Sequence, residues 1–223
     1  NMKMQILLFI SLLSSMSVVA QSPGGWLIYF GNSVLKDSSW SIHHEIQSRD
    51  HQLIGDHNQT LARVGLQYKI KPYLQATMGY AFIHTESEGS PNRPFQEHRI
   101  YQEAMLSHSV SKAKLRHRFR LEERFIENQD FRGRVRYCLF VDVPFTSKGM
   151  KRGGTYLASY NELFINVSDK ENIKLFDRNR LYAGLGWKVY DQVGLQLGYM
   201  RQHIGKQAGG NHLLASIHHT MKW

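Results

Sequence analysis

Apolar and polar side chains alternate with period two along most of this chain. No long stretch carries the i, i+3, i+4, i+7 spacing of an amphipathic helix. Ala62, Val64, Leu66, Tyr68 and Ile70 fall on one face, with Arg63, Gln67 and Lys69 opposite. Leu115, Phe119, Leu121 and Phe125 oppose Arg116, Arg118, Arg120, Glu122 and Arg124. The same division separates Val135, Tyr137, Leu139, Val141 and Val143 from Arg134 and Arg136, and Leu181, Ala183, Leu185 and Trp187 from Arg180 and Lys188. Successive side chains of a strand point to opposite faces, so the pattern predicts an all-β chain with one apolar and one polar face per strand.

Candidate strands cover 24–33, 39–48, 59–70, 73–85, 95–109, 112–127, 132–143, 154–167, 177–190, 192–203 and 211–223. They are long for a soluble sheet and long enough to cross a membrane at a tilt. Lys71-Pro72 and Tyr190-Asp191-Gln192 mark tight turns, whereas 48–59, 86–94, 168–176 and 202–211 are longer and polar. Short turns alternating with long loops, charge in mid-strand on one face, and Tyr, Trp and Phe near the ends of the other favour a transmembrane antiparallel up-and-down β-barrel over a secreted sandwich. Eleven candidates conflict with the even count usual for single-chain bacterial barrels. Either one candidate is split or merged, or 145–154 hides another strand; the expectation is 12 strands, with 10 as the alternative.

The first twenty residues differ from the rest. Lys3 is followed by an apolar run from Ile6 to Ala20, interrupted by serines, and then by Gln21-Ser22-Pro23. This matches a cleaved secretory signal over 1–20, leaving 21–223 as the barrel domain and the bacterial outer membrane as its location. The last strand ends on Trp223. An amphipathic strand closing on an aromatic resembles the signal read by the outer-membrane assembly machinery.

Composition alone would suggest otherwise. The chain has 223 residues, is 42% hydrophobic and carries a formal charge of +10, with a mean hydropathy of −0.42. A barrel needs only alternate residues to be apolar, so these values do not oppose a membrane protein. The 11 Phe, 11 Tyr and 4 Trp exclude a disordered chain, and the single cysteine excludes an internal disulfide. An exported protein does not meet the chromosome, so no nucleic-acid partner is expected.

Short motifs recur in order along the chain: His98-Arg99-Ile100-Tyr101, His117-Arg118-Phe119-Arg120-Leu121-Glu122-Glu123-Arg124-Phe125, Arg134-Val135-Arg136-Tyr137, Tyr160-Asn161-Glu162, Asn179-Arg180-Leu181-Tyr182-Ala183-Gly184 and Gly198-Tyr199-Met200. In these the chain resembles a family of uncharacterised bacterial outer-membrane proteins, common in the Bacteroidota and known as a domain of unknown function. The resemblance implies an outer-membrane barrel and brings no catalytic motif with it.

The candidate site is the charge on the polar faces. Arg99, Glu103, Arg118, Arg120, Glu122, Arg124, Arg134, Arg136, Glu162 and Arg180 form the expected lumen network, with Arg63, Lys69, Arg116, Glu45 and Glu97 on the same parity. Glu162 is ambiguous, resting on whether Asn161 faces lipid. Forked guanidiniums can satisfy several carboxylates at once, so the first reading is a plugged interior in a non-enzymatic barrel subunit or accessory of an outer-membrane complex. The partners would be outer-membrane lipid and other outer-membrane proteins. A narrow anion-leaning channel is the alternative, because Arg and Glu rows also line pores. A lipid-modifying enzyme comes third. It would need a nucleophile, a base and an orienting group together, yet neither Gly-x-Ser-x-Gly nor His-Glu-x-x-His occurs. His43-His44 and His218-His219 are adjacent, so each pair splits between faces. No cofactor, metal or catalytic residue is assigned. Lys148, Lys151 and Arg152 are read as a solvated connection, or as a contact for an acidic protein.

Overall fold

The structure, a computed structural model, describes residues 23–167, 174–205 and 207–223. The signal segment expected over 1–20 lies outside the described residues. Eleven strands follow one another: β1 (Gly24–Val34), β2 (Trp40–Asp50), β3 (His57–Lys71), β4 (Leu74–Thr85), β5 (Phe95–Val110), β6 (Ala113–Ile126), β7 (Arg132–Pro144), β8 (Thr155–Asn166), β9 (Phe176–Lys188), β10 (Val193–Ile204) and β11 (Gln207–Lys222). Each pairs antiparallel with its neighbour in sequence, and β1 closes on β11 to complete a barrel.

That closure explains the strand number. An all-antiparallel ring requires an even count, because its first and last strands must run in opposite directions. Here β1 and β11 pair in parallel, from Gly24↔His212 to Val34↔Lys222, and an odd number closes without a missing strand. The expected twelfth strand does not exist in 145–154. That connection is a succession of turns in which Gly149 N–H donates to Thr146 O (3.0 Å) and Gly154 N–H to Lys151 O (2.8 Å).

Two rims result among the described residues. The lower rim carries Trp223 and the connections 35–39, 72–73, 111–112, 145–154 and 189–192; the upper rim carries 51–56, 86–94, 127–131 and Gly205. The loop expected over 202–211 is instead a hairpin, paired as far as Ile204↔Gln207 across a bulge. Glycine permits it: a Cβ on Gly209 would stand 2.0 Å from Gln202 O. The long 145–154 connection on the lower rim also departs from a strict alternation of short turns and long loops.

Side chains sort by parity. Leu27, Ile46, Val64, Leu66, Met78, Phe119, Leu181, Leu185 and Leu197 are exposed on the outer wall. Exposed aromatics gather towards the lower rim as Trp40, Tyr68, Tyr73, Trp187, Tyr190 and Trp223, and towards the upper rim as Phe125, Phe131 and Phe176. The interior holds the charges, together with large aromatics laid across glycines. Tyr101 lies over Gly65 and Gly79, Tyr182 over Gly184 and Gly198, and Tyr156 over Gly186, where an added Cβ would fall 2.1 Å from the Tyr156 ring. A strand glycine that lets another group approach the backbone this closely is there for space.

Candidate functional site: the charged lumen and its cavity

All residues of the expected network other than Arg180 form ion pairs, most of them between adjacent strands. Glu122 on β6 is fully buried and opposite Arg134 on β7. It accepts from Arg134 Nη2 (2.6 Å) and Arg136 Nη1 (2.5 Å), with Arg99 Nη1 at 3.5 Å and Arg120 Nη1 at 3.8 Å. Glu103 on β5 accepts from its direct cross-strand partner Arg120, Nη2 at 2.5 Å, and lies 3.8 Å from Arg118 Nε. Glu162 on β8 points inward, which resolves its orientation, and takes Arg118 Nη2 and Arg136 Nη2, each at 2.5 Å. Arg124 forks onto both oxygens of Glu97, at 2.7 and 2.9 Å, and Arg99 reaches Glu97 as well. Arg63 pairs with Glu45 at 2.6 Å.

This belt is built on register. Facing and diagonal side chains of paired strands are the ones that can touch, and the Arg-rich parity of β6 and β7 lies between Glu-bearing positions on β5 and β8. Taking these ions out of water is costly, and shared, forked hydrogen bonds are what offset it.

Several members are not apparent from charge alone. Asp142 pairs with Arg116 (2.9 Å), and Asp177 with Arg134 (2.8 Å). Inward aromatics cover the guanidiniums: Arg136 lies 4.4 Å from the Phe164 ring centroid, Arg120 4.7 Å from Tyr101, and Arg116 4.8 Å from Phe140. Stacking of this kind adds to the ion pairs. Strict parity identifies these rings, since Phe164 shares a face with Glu162, and Tyr101 with Arg99 and Glu103. Lys69 does not join the belt; it is exposed at the lower rim. Trp223 is exposed on the outer edge, with its N–H donated to Val34 O (3.1 Å) and its O accepting from Lys36 N (2.7 Å).

The histidine pairs divide between faces. His43 turns inward to Glu45 (3.3 Å) and His218 inward to Ser216 (3.0 Å). His44 turns outward, stacked on Tyr29 with centroids 5.7 Å apart, and its Nε2 is 3.4 Å from Ser33 Oγ. Among the described residues no carboxylate pairs with His44, so the hydroxyl and imidazole meet without an orienting acid.

The lumen holds a cavity of about 510 Å³ whose walls include belt residues such as Glu97, Arg118, Arg136 and Glu162. Its walls rise to upper-rim residues such as His51, Thr85, Gln129, Arg132 and Arg178, and its floor includes Phe30, Phe140 and Tyr160. Towards the lower rim Gln67, Thr77, Tyr156 and Tyr182 are buried and lie outside that cavity. The cavity is a vestibule that opens towards the upper rim.

Comparison with known proteins gives two matches. Residues 23–213 match the family model described as "Protein of unknown function (DUF2490)". The chain is also 27% identical over 178 residues to an uncharacterised protein of Methylorubrum extorquens, covering 77% of this chain and 76% of that protein.

Proposed function

The chain belongs to the DUF2490 family, and from that premise we propose that it is an integral outer-membrane β-barrel with an ion-paired, largely plugged lumen. It acts as a non-enzymatic barrel subunit or accessory of an outer-membrane complex. One observation carries the reading, the inversion of the usual globular arrangement. The outer wall exposes Leu27 (66%), Leu185 (65%) and Leu197 (65%), while Glu122, Arg134 and Arg136 are buried inside. In water such an exterior would be a continuous apolar patch far larger than a soluble monomer shows. Facing lipid it is favourable, and barrel closure pairs the strand edges that a bilayer could not solvate. The aromatic belts near both rims fit the two interfaces.

A plugged lumen favours a structural role over a conduit, since most of the arginines that would line an anion pathway, Arg49 and Arg180 apart, are paired with Glu45, Glu97, Glu103, Glu122 and Glu162. Alkaline carbonate extraction of membranes from cells making the full chain tests the proposal. Retention in the outer-membrane pellet, with a gel mobility that changes on boiling, is expected. Quantitative release as a soluble species would refute it.

A further inference from the structure

We propose that the vestibule is a binding site for a small organic anion, whose oxyanion group is held by Arg49 and Arg180 beside Trp26 and His212. The inference goes beyond the reading above and does not depend on where the barrel resides. It starts from the two lumen arginines that the belt leaves out. Among the described residues, no carboxylate lies within ion-pair distance of either. The cross-strand neighbour of Arg180, Glu162, is engaged by Arg118 and Arg136.

Both are held by neutral amides instead. Arg49 donates from Nε (2.9 Å) and Nη2 (2.5 Å) to Gln47 Oε1, and from Nη1 to Gln59 Oε1 (2.6 Å). The amide groups of those glutamines are themselves directed away, Gln47 Nε2 to Glu45 and Gln59 Nε2 to Thr85. Arg180 donates only from Nε, to Gln202 Oε1 (2.8 Å), and is 8% exposed. Its two Nη groups have no hydrogen-bond partner among the described residues, and the side chain lines the vestibule. Amide oxygens fix the direction of a guanidinium without cancelling its charge, which is what a preorganised anion receptor needs.

The surroundings converge on the same point. The guanidinium carbons of Arg49 and Arg180 lie 3.9 and 5.0 Å from the centroid of the Trp26 ring. His212 stands 5.1 Å from that ring, with neither ring nitrogen hydrogen-bonded. Gly24 and Gly210 flank it without side chains; a Cβ on either would come within 2.7 Å of the imidazole. These groups come from β1, β2, β9 and β11, so the parallel seam assembles the site. A forked guanidinium matches carboxylate and phosphate oxygens alike, and a vestibule of about 510 Å³ holds more than a bare ion.

Purified, folded full-length barrel in detergent is titrated calorimetrically with inorganic phosphate, glycerol 3-phosphate and succinate, with glycerol as the neutral control. Saturable binding of at least one anion is expected, weakened at least tenfold by Arg49→Gln combined with Arg180→Gln. It should be retained in Arg116→Gln with Asp142→Asn, a pair outside the vestibule. Should the double glutamine variant not fold, tryptophan fluorescence of the wild-type chain serves instead. The anion should change it saturably, and the change should be lost in Trp26→Phe. No saturable binding of any of the three anions overturns the proposal, as does binding indifferent to the double substitution or a fluorescence change that survives Trp26→Phe.

Discussion

Glu122 is the residue on which the lumen depends most. It is fully buried and accepts from Arg134 and Arg136, with Arg99 and Arg120 beside it. Glu122→Gln leaves these cations under-compensated, and removing one partner of a buried ion pair costs about 3–5 kcal/mol. The expected outcome is a fall of that size in urea-unfolding stability of the detergent-folded barrel. Glu88→Gln, on an exposed loop, should stay within about 0.5 kcal/mol. Steric fit makes a second prediction. Gly186→Ala places a methyl against the Tyr156 ring and should cost about 1–3 kcal/mol, the range for overpacking. In a Tyr156→Leu background the same substitution should cost measurably less, and a double-mutant cycle reads that coupling. Most of the belt could be read from the alternation of Arg and Glu with apolar residues on β5, β6 and β7. Arg49 could not, because the polar run through Arg49-Asp50-His51 looks like the start of a loop, whereas β2 continues to Asp50. Trp26, Gln202 and His212 carry no charge pattern; Gln202 is the direct cross-strand partner of Arg180, whereas the closure of β1 on β11 is what brings Trp26 to it.

At the scale of elements, the informative feature is the seam. Period two identified all eleven strands to within a few residues at most ends, because each has an uninterrupted apolar face. Direction cannot be read from alternation, so the parallel β1–β11 contact is not legible, and without it the eleven strands that the alternation does show conflict with the even count of an all-antiparallel ring. The pairing of β10 with β11 near the upper rim is hidden by glycines, which read as loop but here serve close backbone approach at Gly209. The seam has a direct test. Leu27 and Ala215 are Cα partners on the outer face of β1 and β11. In a Cys138→Ala background, Leu27→Cys with Ala215→Cys should form a disulfide on oxidation, seen as a mobility shift of the unboiled and boiled chain. Leu27→Cys with Leu197→Cys, which sits on β10 beyond β11, should not. The reverse result would mean that the barrel closes differently.

For the whole molecule, the charge of +10 acquires a structural meaning. Much of it sits in the lumen, where basic side chains outnumber carboxylates: Arg49 and Arg180 in the vestibule, and Lys114, Arg116 and Lys188 around Asp142 nearer the lower rim. The proposed plugged lumen predicts that reconstituted protein gives no discrete single-channel conductance in planar bilayers; stable conductance steps would return the channel reading to first place. The central claim is that the apolar wall faces lipid and the charged wall does not. It is tested most directly by attaching a bimane fluorophore to single cysteines in the Cys138→Ala chain, reconstituted in vesicles containing brominated lipid. Labels at Leu185 and Leu197 on the outer wall should be strongly quenched by the brominated tails and little affected by aqueous iodide, while a label at Gln202 in the vestibule should show the opposite. Iodide quenching at Leu185 and Leu197 without lipid quenching would contradict the account.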